Sequence, residues 1–382
     1  MAFGGLGHFD KTTDIALQAF YFVSQQIQYW GTPDVIRVVQ WATGSMGRTA
    51  LRRVIDHPDL ELVGVYVYGA DKVGRDAGQI ARRPATGVLA TSDIEAILAL
   101  DADLVLHMPR ITLPYDALAG DVARLLQSGK DVVSIAGFHW PGAQGAAYAD
   151  FLLAACRAGG STLAGVGVNP GTVVERIALA ATVLCADLER LEIRETVDAS
   201  AMTSAAFVFE LMGLGADPAQ RDIRSGPLAE LYSALFGEVL AFAAFELGSE
   251  IARIVPDHRL TLAPRRIQTG AGPIEAGCVA ATEWRWTAEL ANGREVLLSV
   301  LWTADPRLHG DGVSGHWLIT VTGRPNLRLT LDISESDAKA PPSRALADAT
   351  VAVAVRAIPD VIAAPPGFFA YRPPATWRER LL

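Results

Sequence analysis

Charge is scarce in this chain. Asp, Glu, Lys and Arg make up 20% of its 382 residues, against 50% that are hydrophobic. That ratio excludes an intrinsically disordered chain and leaves ample apolar material for a large core. Cysteine is scarcer. Cys156, Cys185 and Cys278 stand far apart, with no Cys-x-x-Cys or Cys/His ligand spacing, so they read as packing thiols of a reducing cytoplasm rather than a disulfide framework or a zinc site. His309 and His316 lie in or beside a glycine-rich loop without a third ligand, and no metal is expected. Basic blocks are missing as well. The 33 Lys and Arg are outnumbered by 42 Asp and Glu, for a formal charge of −9, which argues against nucleic acid or an anionic membrane as a partner. The apolar stretch Thr13–Trp30 is broken by Gln25, Gln26 and Gln28 and lacks a basic leader, which argues against a signal peptide or membrane span. Residues 1–34 are set apart as an N-terminal extension. Internal repeats are lacking.

What is present, at a length that implies two domains or one with a large insertion, is an alternation. Strand patterns at Val35–Trp41, Leu60–Tyr68, Leu104–Met108, Asp131–Ile135 and Thr162–Val166 are separated by helix patterns at Gly47–Asp56, Asp93–Leu100, Asp116–Gln127 and Gln144–Ala158. The strands are nearly continuous aliphatic runs, the mark of a parallel sheet buried on both faces with helices as crossovers. Residues 35–168 therefore predict a doubly wound Rossmann α/β domain. Beyond it, a helix pattern at Thr172–Cys185, an alternating strand at Leu188–Asp198 and helices near Ala205–Met212 and Pro227–Leu247 come first. Strands at Ala276–Leu290, Glu295–Thr303, Trp317–Thr322 and Leu327–Asp332 follow. Residues 169–343 thus predict an inserted α+β domain for substrate and assembly. Past the linker Lys339–Ser343, residues 344–382 predict a helix, ending at Ile358–Pro359, that returns to the Rossmann domain.

Chemistry concentrates after the first strand. Ala42-Thr43-Gly44-Ser45-Met46-Gly47 opens the first helix as a Gly-x-Gly-x-x-Gly pattern whose leading glycine is alanine. In such a turn the middle glycine lets the backbone approach a pyrophosphate, the last lets the helix pack on the strand, and free helix amides hold the anion. A lone glycine pattern is weak, but a strand before, a helix after and a second buried strand satisfy its context. Where an NAD site usually carries Asp or Glu, this chain has Tyr66-Val67-Tyr68-Gly69, and the first acid is Asp71. Lys72 and Arg75 follow, either as partners of a 2′-phosphate or as solvated loop charges. The expected cofactor is NADP, with NAD the alternative.

The run WATGSMGRTALRRVIDHPDLELVGVYVYGADKVGRDAG resembles the N-terminal domain of the dihydrodipicolinate reductase type. VNPGTVVERIALAATVLCADLERLEIRETVDAS, MGLGADP and AIPDVIAAPPG resemble the 2,4-diaminopentanoate dehydrogenase and NAD(P)H-dependent amine dehydrogenase branch. The resemblance spans most of residues 35–370. It implies reversible hydride transfer at an amine or imine carbon, a C-terminal domain inserted before the last helix, and a homodimer. It also implies an acidic residue just after the strand Asp131–Ile135, where this chain has Ala136-Gly137-Phe138-His139-Trp140-Pro141, and an asparagine where Arg356 stands.

Ligands of such sheets sit outside the carboxyl ends of the strands. Met108, Pro109, Gly137, Asn169 and Pro170 are accordingly expected along the nicotinamide, beside Thr43, Gly44, Ser45, Met46, Gly47, Tyr68, Lys72 and Arg75 for the rest of the dinucleotide. Arg110 is a candidate for an anionic substrate group or a surface ion pair. His139 is the acid/base candidate, or else the polar tip of a packed corner. His107 reads as a core histidine, and Glu175 mainly as a helix-dipole residue. Trp284, Trp286, Trp302 and Trp317 line a pocket, a core or an interface. Alternative functions are reduction of a cyclic imine and a non-catalytic dinucleotide sensor.

Overall fold

Strand β1 (Ile36–Trp41) ends in four consecutive buried residues, so both of its faces are covered. This holds in the computed structural model, which describes residues 35–308, 317–337, 339–340 and 343–379. The expectations for residues 1–34, the helix at Thr13–Trp30 among them, and for His309 and His316 lie outside the described residues.

Around β1 gather β2 (Leu60–Tyr66), β3 (Ala90–Thr91), β4 (Leu104–His107), β5 (Asp131–Ser134) and β6 (Thr162–Gly165). With a closing strand Gly367–Phe369 they form a seven-stranded parallel sheet in the order Gly367–Phe369, β6, β5, β4, β1, β2, β3. Side chains alternate along each strand, so the sheet needs a cover on either side. On one side Val38, Leu106, Val133 and Ala164 meet Ala50 and Val54 of α1 (Ser45–Asp56) and the closing helix Ser343–Ala363. On the other, Val39, Trp41, Val105, Val132 and Leu163 meet α2 (Ile94–Leu98), α3 (Ala119–Gln127) and α4 (Ala146–Gly159). The sheet is doubly wound, and the last helix returns to it.

That helix runs through Pro359 instead of stopping there. A proline inside a helix costs about 3 kcal/mol. Ile358 and Val361 are buried against the sheet, and burying each contributes roughly 1.5–3 kcal/mol, enough to hold the final turn.

The second sheet is built from β7 (Asp187–Asp198), β8 (Ile251–Pro256), β9 (Arg259–Leu262), β12 (Val279–Leu290), β13 (Glu295–Thr303), β14 (Trp317–Arg324) and β15 (Leu327–Leu331), while β10 (Ile267–Thr269) and β11 (Gly272–Ile274) pair apart from it. Its order is β15-β14-β7-β13-β12-β8, with β9 also on β12. Pairing is antiparallel except between β7 and β13, which run parallel because the chain crosses over through helix α5 (Pro227–Glu246) between them. Strands β8 and β9 were not foreseen, because they are mostly exposed and carry no apolar alternation. β3 has two residues, too few to show a period.

Helix α5 is long and apolar enough to cross a membrane, but most of it is buried inside the protein. Tyr232 packs on Trp284 at 5.0 Å and on Trp302 at 5.2 Å, and Phe236 on Trp286 at 5.0 Å. Of the readings open for the tryptophans, these three form core between helix and sheet. Phe242 on the same helix is fully buried. Phe242→Ala is expected to lower stability by about 3–5 kcal/mol, the usual range for an emptied core aromatic, read as a drop in urea midpoint at unchanged slope.

Candidate active site

The β1–α1 turn is shaped by one steric demand and one vacancy of demand. Ala42, in the place of the leading glycine, adopts a φ of 70°. A methyl on Gly47 would land on the carbonyl oxygen of Ala42, whereas one on Gly44 would meet nothing within 4 Å. The fold itself requires Gly47. Gly44 is dispensable to the fold and faces outward with Ser45, while Met46 is half-buried. Helix α1 starts with no side-chain cap and no acid in its first turn, so its leading amides and dipole are open to an anion.

Two further elements close on this turn. Lys72 Nζ donates to the Thr43 carbonyl at 3.1 Å and to Thr43 Oγ1 at 3.2 Å, which sets a positive charge beside the helix start. Tyr68 is half-exposed and accepts from Trp41 Nε1 at 2.9 Å, and Trp41 stacks on Tyr66 at 3.7 Å. Arg75 is exposed. The end of β2 carries no carboxylate.

Beyond β4, Met108 packs its side chain into the core and Pro109 is buried, so this segment can offer only backbone to a ligand. Arg110 is exposed and pairs with Glu210 at 3.5 Å, the surface ion pair of its two readings. His107 is buried with Nδ1 2.9 Å from Ser134 Oγ, and burial pushes it down to about 3. It is a neutral core histidine.

Beyond β5 lies a buried polar knot. Burial opposes a charge on His139, but the bond from its Nδ1 to Glu175 Oε1 at 2.9 Å and the negative charge of Glu238 raise its pKa above 6.5. Glu175 is itself buried. Its expected dipole role gives way to this ion pair, because the helical turn that begins at Thr172 aims it at the β5 loop. Glu238 comes from α5 and accepts from the backbone amides of His139 at 2.7 Å and Trp140 at 3.2 Å, and from Gln144 Nε2 at 3.2 Å. Burial raises Glu238, while His139 and these donors, with the Tyr115 hydroxyl, pull it back. Gly137 lies within the same loop, against Tyr115. The carboxylates near the end of β5 thus arrive from elsewhere in the chain.

Beyond β6, Asn169 Nδ2 donates to Glu195 Oε2 on β7 at 2.7 Å. Burial raises Glu195 to about 7, moderated by that bond. Pro170 follows in the same loop. Glu195 and Glu238 escaped sequence reading, although each left a signal: a lone acid in the inward row Leu191, Ile193, Glu195, Val197, and one in the apolar run Leu231–Phe245 of α5. Arg356 is exposed on the closing helix. Among the described residues no group of three or more His, Cys, Asp or Glu is placed to hold a metal.

The family model for the N-terminus of dihydrodipicolinate reductase matches residues 37–134. An amine dehydrogenase of Streptomyces virginiae is 29% identical over 315 residues, which is 79% of this chain and 86% of that protein. A 4-hydroxy-tetrahydrodipicolinate reductase of Paraburkholderia phymatum is 36% identical over 98 residues, 25% of this chain and 35% of that one. The resemblance read from the sequence is therefore real. The chain is an NAD(P)-dependent oxidoreductase. Its fold also matches the structure of an amine dehydrogenase from Mycobacterium smegmatis, with a TM-score of 0.70, 19% identity, and coverage of 87% of this oxidoreductase and 94% of that chain.

Two measurements probe the geometry of this oxidoreductase. Gly47→Ala should cost about 1–3 kcal/mol from overpacking, whereas Gly44→Ala should leave the melting temperature of the free protein within error. The raised His139 pKa makes its pairing stabilising below pH 6.5 and progressively less so as pH rises through the folded-state value. Glu175→Gln should abolish that decline in a stability–pH series.

Proposed function

We propose that the enzyme transfers hydride reversibly between NADP(H) and the carbon of a C–N bond in a small amine or imine. The observation that carries this reading is the Gly44 turn, a glycine the fold does not need at the open start of α1. Thr43, Gly44, Ser45, Met46 and Gly47 would hold the pyrophosphate. Tyr68, Lys72 and Arg75 would meet the adenosine ribose and its 2′-phosphate. Backbone of Met108, Pro109, Gly137, Asn169 and Pro170 would line the nicotinamide end, the crevice such sheets use. The lysine on the turn and the lack of an acid after β2 favour NADP(H) over NAD(H). Similarity to an amine dehydrogenase over 79% of the chain favours the C–N bond.

A bound nicotinamide supplies the two-electron exchange. Protons are left to the protein, and His139 is the group we assign to move one, with Glu175 fixing its ring and stabilising its charged form. Arg110 is assigned to the mouth of the substrate pocket, where release from Glu210 frees it for an anionic group. We further assign a cytoplasmic homodimer, in keeping with the free cysteines and the family resemblance.

Fluorescence titration with NADPH and NADH, followed by oxidation assays over a panel of amines, tests the reading. Tight NADPH binding with turnover of an amine is the expected result. Lys72→Ala should weaken NADPH about tenfold, ~1.4 kcal/mol, and NADH much less. His139→Ala should lower turnover roughly 10²–10⁴-fold with NADPH affinity retained. An unchanged rate would remove His139 from the chemistry, and binding without any turnover would favour a sensor.

A further inference from the structure

One residue of β1 is out of place by burial alone. Side chains alternate across a strand, and Val38 on one face of β1 packs under α1 and the closing helix. The next residue in that row is Gln40, fully buried where an aliphatic would be the ordinary choice. Its amide oxygen is buried without a hydrogen-bond partner, a cost that leucine or methionine in the same space would avoid.

The other end of the side chain accounts for it. Gln40 Nε2 donates to the Ala42 carbonyl at 3.0 Å and to the Trp41 carbonyl at 3.2 Å, with the Leu106 carbonyl at 3.5 Å. Three carbonyl oxygens around one end of the amide identify it as the nitrogen, since only that end donates. Successive carbonyls of a strand point opposite ways. Two of them meet one donor here because the chain leaves the strand at Ala42. The Ala42 amide still donates to the Tyr66 carbonyl at 2.9 Å, whereas a φ of 70° turns the Ala42 carbonyl back onto Gln40. That backbone region suits glycine and is resisted by alanine, whose Cβ crowds the carbonyl. The carbonyl so placed is the one that a methyl on Gly47 would strike at 2.1 Å, and Gln40 Nε2 would stand 3.3 Å from the same methyl. Gln40, Ala42 and Gly47 thus form one packed unit beneath the open start of α1.

Resting on the dinucleotide site proposed above, we propose that Gln40 is a positioning residue for the glycine turn: its buried amide clamps the Ala42 carbonyl and lets alanine serve where the motif has glycine. Donation to that carbonyl stabilises the left-handed turn that alanine resists. The turn in its place sets where Thr43, Gly44 and the first amides of α1 stand. Gln40 itself reaches no ligand, being sealed under the turn. Backbone donors fixed in advance hold an anion more tightly, because binding then has no loop to order. Two departures in the sequence are thereby linked: an alanine at the leading glycine position, and the one polar residue in the buried half of β1.

A double-mutant cycle on the full-length protein tests the clamp, read as Kd for NADPH and for NADH by fluorescence and as melting temperature without cofactor. Gln40→Leu should weaken both dinucleotides by the same factor, about tenfold, because the pyrophosphate is common to them. Lys72→Ala, by contrast, is expected to act mainly on NADPH. Ala42→Gly should bind as wild type does, since glycine rests at that φ unaided. Adding Gln40→Leu to Ala42→Gly should then cost less than about threefold. A residue that merely fills the core would lower affinity by the same factor in both backgrounds. Gln40→Met, as long and equally without a donor, takes the place of the leucine variant if that one does not fold. Wild-type affinity in the Gln40 variant, an equal loss in both backgrounds, or a loss confined to one dinucleotide overturns the assignment and leaves the proposed function standing. Failure of the wild type to bind either dinucleotide brings down both.

Discussion

Glu238 is fully buried in the second half of the chain, yet the donors that satisfy it come from the first. A carboxylate taken out of water without donors costs several kcal/mol, so α5 is held where the amides of His139 and Trp140 can reach it. Those amides follow β5, at the sheet end where a dinucleotide binds. The same helix carries Tyr232, Phe236 and Phe242 into the core of the second sheet. One buried acid therefore ties the position of the second sheet's main helix to the backbone of the loop after β5.

The acid that the resemblance implies after β5 is missing from that loop, yet the region beyond β5 and β6 is not short of carboxylates. Three carboxylates, Glu175, Glu195 and Glu238, reach the region from three different elements. Each is held by a different set of donors, and burial pushes the pKa of Glu195 and Glu238 upward. Groups whose environments separate their proton affinities are how one site divides acid, base and structural duties.

The parallel sheet was legible because strands buried on both faces must read as unbroken aliphatic runs, and Val38–Val39, Val105–Leu106 and Val132–Val133 do so. Short or exposed strands were illegible for the converse reason, since β3, β8 and β9 bury too little to impose a pattern. The end of the last helix was misjudged because proline acts locally, whereas the burial of Ile358 and Val361 that outweighs it is a tertiary fact.

By itself, then, the sequence determined the doubly wound sheet and the place of the glycine turn, which follow from periodicity and backbone sterics along the chain, and it pointed to the return of the final helix through an apolar helix that follows a separate domain. Only the tertiary structure decided which acids stand near the ends of β5 and β6. Glu175, Glu195 and Glu238 lie 36, 26 and 99 residues from the groups they bond, and a hydrogen bond between groups so far apart in the chain exists only once packing has set the elements that carry them.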